Sequence, residues 1–203
     1  MRRLIPSLAV VGLACAVVSL HGAVKFTSTF SAPDARNVSF KGQKVAALVM
    51  SESFNLRMSA EEALARELTA KGMTGIAAYK AIPKEEMQDV ERAKAWFERV
   101  SVAGVVVLRP VSRETVTRPS VEVWTSASYS SLWGYYPYGW ASTSSVLATT
   151  EDTYIVVEAL IFQVATGGLV WGGVSEATNP KNLQKLVGEI VKEASNKIRR
   201  EFR

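Results

Sequence analysis

Residues 152–178, DTYIVVEALIFQVATGGLVWGGVSEAT, read as a β-hairpin. Two apolar runs rich in Val, Ile and aromatic residues flank Ala165-Thr166-Gly167-Gly168, and paired glycines supply the positive φ that a tight turn needs. The first run is apolar at nearly every position from Tyr154 to Leu160. That is the pattern of a central strand covered on both faces rather than a strand with one wet side. Such a hairpin needs helices above and below it, and the flanking sequence supplies them.

Upstream, residues 44–50 (KVAALVM) form a first short apolar strand. Ser59-Ala60-Glu61-Glu62 reads as a capping box opening a helix, with Ala60, Ala63, Leu64 and Leu68 as its buried stripe and Gly72 as its close. Residues 75–81 (GIAAYKA) read as a second strand. Pro83 opens a second helix whose first turn carries Lys84, Glu85 and Glu86 and whose stripe is Met87, Val90, Ala93, Phe97 and Val100. Residues 104–108 (GVVVL) are a third strand, limited by Pro110. Downstream of the hairpin, Asn179 and Pro180 suit an N-cap and first helical position. Leu183, Leu186, Val187, Ile190, Val191, Ala194 and Ile198 then share one helical face. Phe26, Phe30, Val38 and Phe40 tack residues 24–43 onto the core as an arm or short strand. The expected class is α/β: a single domain with a mixed sheet of about five strands, β-α-β-α-β and then the β-hairpin and a C-terminal helix. The first three strands are expected to be mainly parallel and three helices to pack on the sheet. Residues 111–150 break this pattern, and Val121–Trp124 reads as an isolated strand.

The chain has 203 residues and 48% apolar composition, enough for one core plus an export segment. Residues 1–23 read as a signal peptide: a positive Met1-Arg2-Arg3, then an apolar stretch from Leu4 to Leu20. Cuts after Ser19 or Ala23 fit. Ala14-Cys15 offers another reading, the end of a lipobox, which would make Cys15 a lipidated N-terminus; Gly12 stands where such boxes usually carry Leu. An uncleaved N-terminal membrane anchor is a lesser alternative. Residues 24–203 are then one α/β domain with an aromatic-rich insert over 116–150, and the expected location is the periplasm, with anchoring at the outer membrane if Cys15 is lipidated. Cys15 and His21 are the only Cys and His, so removal at Ala23 leaves a domain without thiol or imidazole. That excludes an internal disulfide there and removes the commonest general base and transition-metal ligands. The net charge is +5, or 5 − 2 = +3 without Arg2 and Arg3, with no dense basic run before the C-terminus, which argues against nucleic acid as a partner. The sequon Asn37-Val38-Ser39 is read as chance beside a bacterial-type leader.

No nucleophile elbow, phosphate loop, dinucleotide fingerprint or zinc-protease motif is present. Ser51 and Ser53 follow the first strand, where open α/β sheets place ligands, but serines there ordinarily serve turns and caps. The acidic pairs Glu61/Glu62 and Glu85/Glu86 lie in expected first turns of helices, where acids stabilise the dipole, and Glu151/Asp152 borders a strand. No enzymatic activity, cofactor or metal is therefore expected. The unusual stretch is 124–140, WTSASYSSLWGYYPYGW, with Trp124, Tyr129, Trp133, Tyr135, Tyr136, Tyr138 and Trp140. These rings suit either a contact surface for an envelope protein partner or a flap folded over the sheet. A glycan, peptidoglycan included, is the alternative ligand, bound by the same rings or hydrolysed with the help of an acid. Trp171, beside Gly172-Gly173, reads as core, with the glycines marking a bulge or a close backbone approach.

Taken together, KVAALVM, AIPKEE, GVVVLRP and VEALIFQVATGGLVWGG, behind an export leader and before a final helix, resemble a group of bacterial envelope proteins that includes many lipoproteins. Their fold is similar to the small α/β domain of the curli-secretion lipoprotein, of the outer-membrane activator of penicillin-binding proteins, and of the N-terminal domain of TolB. The likeness spans about Phe26 to the C-terminus. It implies a binding or assembly module rather than an enzyme.

Overall fold

A computed structural model of the chain describes residues 24–111, 121–143, 154–178 and 182–201. The leader with Cys15 and His21, the acids Glu151 and Asp152, and the expected cap Asn179-Pro180 lie outside the described residues.

One mixed sheet of six strands organises the rest, in the order β1 (Lys25–Ser31), β6 (Leu169–Thr178), β5 (Tyr154–Gln163), β4 (Gly104–Val111), β2 (Lys44–Val49), β3 (Thr74–Ala77). Strands β2, β3 and β4 are parallel. Strand β5 runs antiparallel to β4, β6 to β5, and β1 to β6. The hairpin is formed as expected. Its turn closes through Gly167 N–H to the Val164 carbonyl at 3.1 Å, and of the two glycines Gly167 takes the positive φ, +69°. The sixth strand is the Phe-containing arm, which pairs with the outer side of β6.

Side-chain alternation divides the core into two layers. Val45, Ala47 and Val49 of β2 pack with helices α1 (Phe54–Ala70) and α6 (Leu183–Glu201) on one face. Ala46, Leu48 and Met50 pack on the other with α3 (Val90–Val100) and α5 (Leu132–Ala141). Two register shifts mark the antiparallel half, one of them in β5–β6 between Ile161 and Phe162. The β1–β6 register shifts between Phe26 and Ser28. Phe26 therefore meets Trp171 edge-on (5.3 Å) on the α6 face, while Phe30 stacks on Trp124 (6.3 Å) on the other. Without a bulge two residues four apart would share a face. Gly172 and Gly173 allow this close approach: a Cβ at Gly172 would lie 2.8 Å from the Trp124 ring, and one at Gly173 2.7 Å from both Phe26 and Trp171.

Several local expectations are corrected. Helix α1 starts at Phe54 with Ser53 as its cap (Leu56 N–H to Ser53 Oγ, 3.4 Å), so Ser59 is interior and there is no capping box. The expected strand over 75–81 is shorter: β3 ends at Ala77 and Ala78–Ala81 turn into a one-turn helix, α2. After Pro83 comes a 3-10 turn, Lys84–Glu86, and the helix proper begins at Val90, capped by Asp89 Oδ1 on the Arg92 N–H at 3.0 Å. In α6, Asn182 Oδ1 accepts from the Lys185 N–H at 2.8 Å. Val121–Thr125 is a short helix, α4, rather than a strand. Residues 132–141 are helical despite Pro137: Ser131 Oγ caps the Gly134 N–H at 3.1 Å, and the helix buries residues on most of its sides, so no polar stripe marks its period. No helix among the described residues is long and apolar enough to cross a membrane.

Candidate functional site

The seven aromatics do not form a free surface. Trp124, Tyr129, Tyr135, Tyr136 and Trp140 are buried, and Trp133 and Tyr138 are half-buried. The rings cover the sheet face opposite α1 and α6, the covering-flap alternative. An open sheet of this size needs a second apolar layer, and α3 alone is too short to provide it. The segment is fastened to the hairpin turn by backbone bonds: Leu132 N–H to the Gly167 carbonyl (2.7 Å) and Leu169 N–H to the Ser130 carbonyl (3.0 Å).

Beneath this layer sits a buried ionic cluster that sequence reading missed. Arg109 of β4 lies directly opposite Glu158 of β5. Arg109 Nε and Nη2 both donate to Glu158 Oε2, at 2.9 and 2.6 Å. Tyr129 donates to Oε1 at 2.7 Å and Tyr135 to Oε2 at 2.8 Å, while Arg109 Nη1 reaches the Ser142 carbonyl at 3.1 Å. The guanidinium also lies over the Tyr138 and Tyr135 rings, 5.2 and 5.7 Å from their centroids. Burial, then the Glu158 charge, pushes both phenols, Tyr129 and Tyr135, above their ordinary range, so they remain donors. Burial works against the Arg109 charge, but Tyr135 and Glu158 outweigh it, and its pKa lies above the usual value. Every polar group in this cluster is engaged. It pins the aromatic layer to the sheet centre.

A second cluster lies at the carboxyl end of β2. Glu61 of α1 is fully buried, with Oε1 accepting from the Val49 N–H (3.1 Å) and Oε2 from the Tyr79 N–H (2.7 Å). It ties α1 to the end of β2 and to the start of α2. Burial raises its pKa from 4.5 to about 7, against the opposing pull of those two N–H groups and of Arg57. Arg57 itself is 5% exposed, sandwiched between Phe54 (5.1 Å) and Trp140 (5.7 Å). Its Nε and Nη2 have no hydrogen-bond partner among the described residues, and neither has Trp140 Nε1. Burial raises the Tyr136 phenol above its ordinary range, outweighing the opposing pull of the nearby Trp140 N–H, which lacks hydrogen-bond geometry. Tyr136 instead donates to the Met87 carbonyl.

Of the remaining described candidates, Ser51, Ser53, Glu62 and Glu86 are engaged within the fold. Ser51 Oγ accepts from the Ser53 N–H at 3.3 Å, and Ser53 caps α1. Glu62 pairs with Lys80 (2.5 Å) and accepts from the Tyr79 hydroxyl (2.6 Å). Glu86 holds Arg92 (2.9 Å) and Trp96 Nε1 (2.7 Å). Glu85 is exposed. An apolar cavity of about 60 Å³ opens beside α6, lined among others by Val49, Leu56, Leu108, Ile155, Leu183 and Val187. No group of acids, His or Cys among the described residues is arranged to hold a metal ion.

No family model and no curated protein matches the chain. Solved structures similar to it include the following three. A PelC dodecamer from Paraburkholderia phytofirmans carrying one leucine-to-methionine substitution matches at TM-score 0.44 and 16% identity, over 85% of this chain and 94% of that one. The PelC dodecamer from the same organism without that substitution, in another crystal form, matches at 0.43 and 13%, with the same coverage. Lipoprotein GNA1162 from Neisseria meningitidis matches at 0.38 and 14%, over 78% of this chain and 99% of that one. Likeness of this degree assigns no function.

Proposed function

We propose that the chain is a non-catalytic module of the cell envelope that binds a partner protein. One observation carries the non-catalytic part: the two buried carboxylates among the described residues, Glu61 and Glu158, already spend their oxygens on donors within the fold. General acid–base work needs such a group aimed at a substrate. The leader pattern at residues 1–23 supports export.

The contact surface is smaller than the seven-ring stretch. It draws on half-buried Trp133 and Tyr138 and on Val121 and Val123 of α4, which are 68% and 37% exposed. A glycan platform needs open ring faces, and five of the seven rings are buried. The test is photo-crosslinking in intact envelopes from positions 121, 123 and 133, with exposed Lys192 of α6 as the control position. A single adduct seen from the first three positions and lost on Val123→Glu supports the reading. Equal labelling from all four sites, or peptidoglycan turnover by the purified chain at an enzymatic rate, refutes it.

A further inference from the structure

Arg57 carries two buried donors without partners. Nε and Nη2 form one edge of its guanidinium, the edge that takes a carboxylate or phosphate group through two parallel hydrogen bonds. Arg109 in the same molecule uses this edge on Glu158. Arg57 has no equivalent acid beside it, since the neighbouring buried carboxylate, Glu61, is engaged by the Val49 and Tyr79 backbones. A buried cation with idle donors is costly to the fold unless something occupies them.

Its place in the fold is equally pointed. Arg57 lies in the first turn of α1, and helical side chains lean toward the N-terminus. Its guanidinium accordingly lies over Phe54, the first residue of the helix. Helix α1 leaves the carboxyl end of β2 toward β3, while the chain leaving the carboxyl end of the neighbouring parallel strand β4 leads the other way, to β5. The carboxyl ends of β2 and β4 are therefore where connections diverge, the place where open α/β sheets hold ligands. The positive end of a 17-residue helix points there. Lys84 Nζ stands 5.3 Å from the Phe54 ring and adds a second cation, while the loop before the helix brings one acid, the exposed Glu52.

We propose that the first turn of α1 is an oxyanion-binding site, with Arg57 Nε and Nη2 grasping a carboxylate or phosphate group and the α1 N-terminus and Lys84 supplying the surrounding positive field. Trp140 forms the floor of the site. Phe54, half-buried and packed on the edge of Tyr79, is the ring that swings aside to admit the ligand. The site stands independently of the partner-binding reading.

The experiment titrates the intact chain, labelled with ¹⁵N-arginine, with acetate, with inorganic phosphate and with chloride at matched ionic strength. The Arg57 Nε–H resonance is assigned through its contacts with the Phe54 and Trp140 rings. Saturable movement of that resonance with acetate or phosphate but not chloride is expected, together with a rise in Tm. Tighter binding of acetate identifies a carboxylate ligand, and tighter binding of phosphate identifies a phosphate ester. Arg57→Gln should weaken binding by at least about tenfold and the exposed Lys84→Gln by a smaller factor. The titration of the unsubstituted chain decides the matter even if Arg57→Gln fails to fold. A response to either anion that is linear and equal to that of chloride overturns the proposal, as does saturable binding that leaves the Arg57 resonance unmoved.

Discussion

Replacing Glu61 with Gln should alter the pH dependence of stability as well as its size. The folded-state pKa of about 7 lies above the unfolded value of 4.5, so the folded chain keeps a proton that the unfolded chain releases between those limits. Stability from this group is complete below pH 4.5 and falls as pH rises through 7. The difference, 7 − 4.5 = 2.5 pKa units, sets the loss at about 3 kcal/mol, taking 1.36 kcal/mol per unit. The substituted amide would not titrate. Its oxygen can keep one of the two backbone bonds, to Val49 or to Tyr79, while its NH₂ would face the other N–H. That leaves one buried donor unpaired and costs about 1–3 kcal/mol at acid pH. Urea unfolding at intervals between pH 4.5 and 8 measures both effects. Other groups, including the lowered carboxyl of Glu62, contribute their own slopes, so the quantity to plot is wild type minus variant. The difference should shrink by about 3 kcal/mol across the window. A constant difference would show that Glu61 titrates alike in the folded and unfolded chains and refute the argument.

Glu158→Ala removes the acceptor of Arg109, Tyr129 and Tyr135 together and should cost about 3–5 kcal/mol by urea unfolding, far beyond an exposed pair such as Lys185–Glu189. Gly173→Ala places a Cβ 2.7 Å from the Phe26 and Trp171 rings and should cost about 1–3 kcal/mol, with a change in Trp fluorescence as the edge-on pair separates. Ser53→Ala should cost about 1 kcal/mol and Ser59→Ala stay within about 0.5 kcal/mol; the reverse order would restore the capping box to α1.

The hairpin was legible because its signal is local: two β-rich runs and a glycine turn lie within residues 152–178. The parallel half was legible because each helix between its strands shows a stripe at helical spacing. Boundaries were less legible because caps compete. Ser53 and Ser59 are both serines preceding helix-forming sequence, and it is Ser53 that caps the Leu56 N–H while Ser59 lies inside α1. The aromatic segment was opaque for a different reason. A helix buried on most sides has no polar face from which to read a period, and Pro137 suggests a break that the surrounding contacts override.

The two ionic clusters mark the limit of reading by motif, though one of them did leave a trace. Glu158 is the lone charge in IVVEALIF and Arg109 the lone charge in GVVVLRP. A single acid and a single base in two otherwise apolar central strands point to each other if the strands are neighbours, because neither can be buried alone. Pairing β4 with β5 was the missing premise, and no sequence pattern supplies it, since the long segment between them conceals which edge of β4 the hairpin joins. Arg57 left no such trace: it falls before the expected helix start at Ser59, where an arginine reads as solvated surface. Its burial follows from Trp140, which arrives from a segment whose helical form was itself hidden. The residue proposed to bind an oxyanion is thus visible only once the aromatic layer is in place. That is the physical reason why, in the proposed site, the aromatic stretch contributes one ring, Trp140, as the floor.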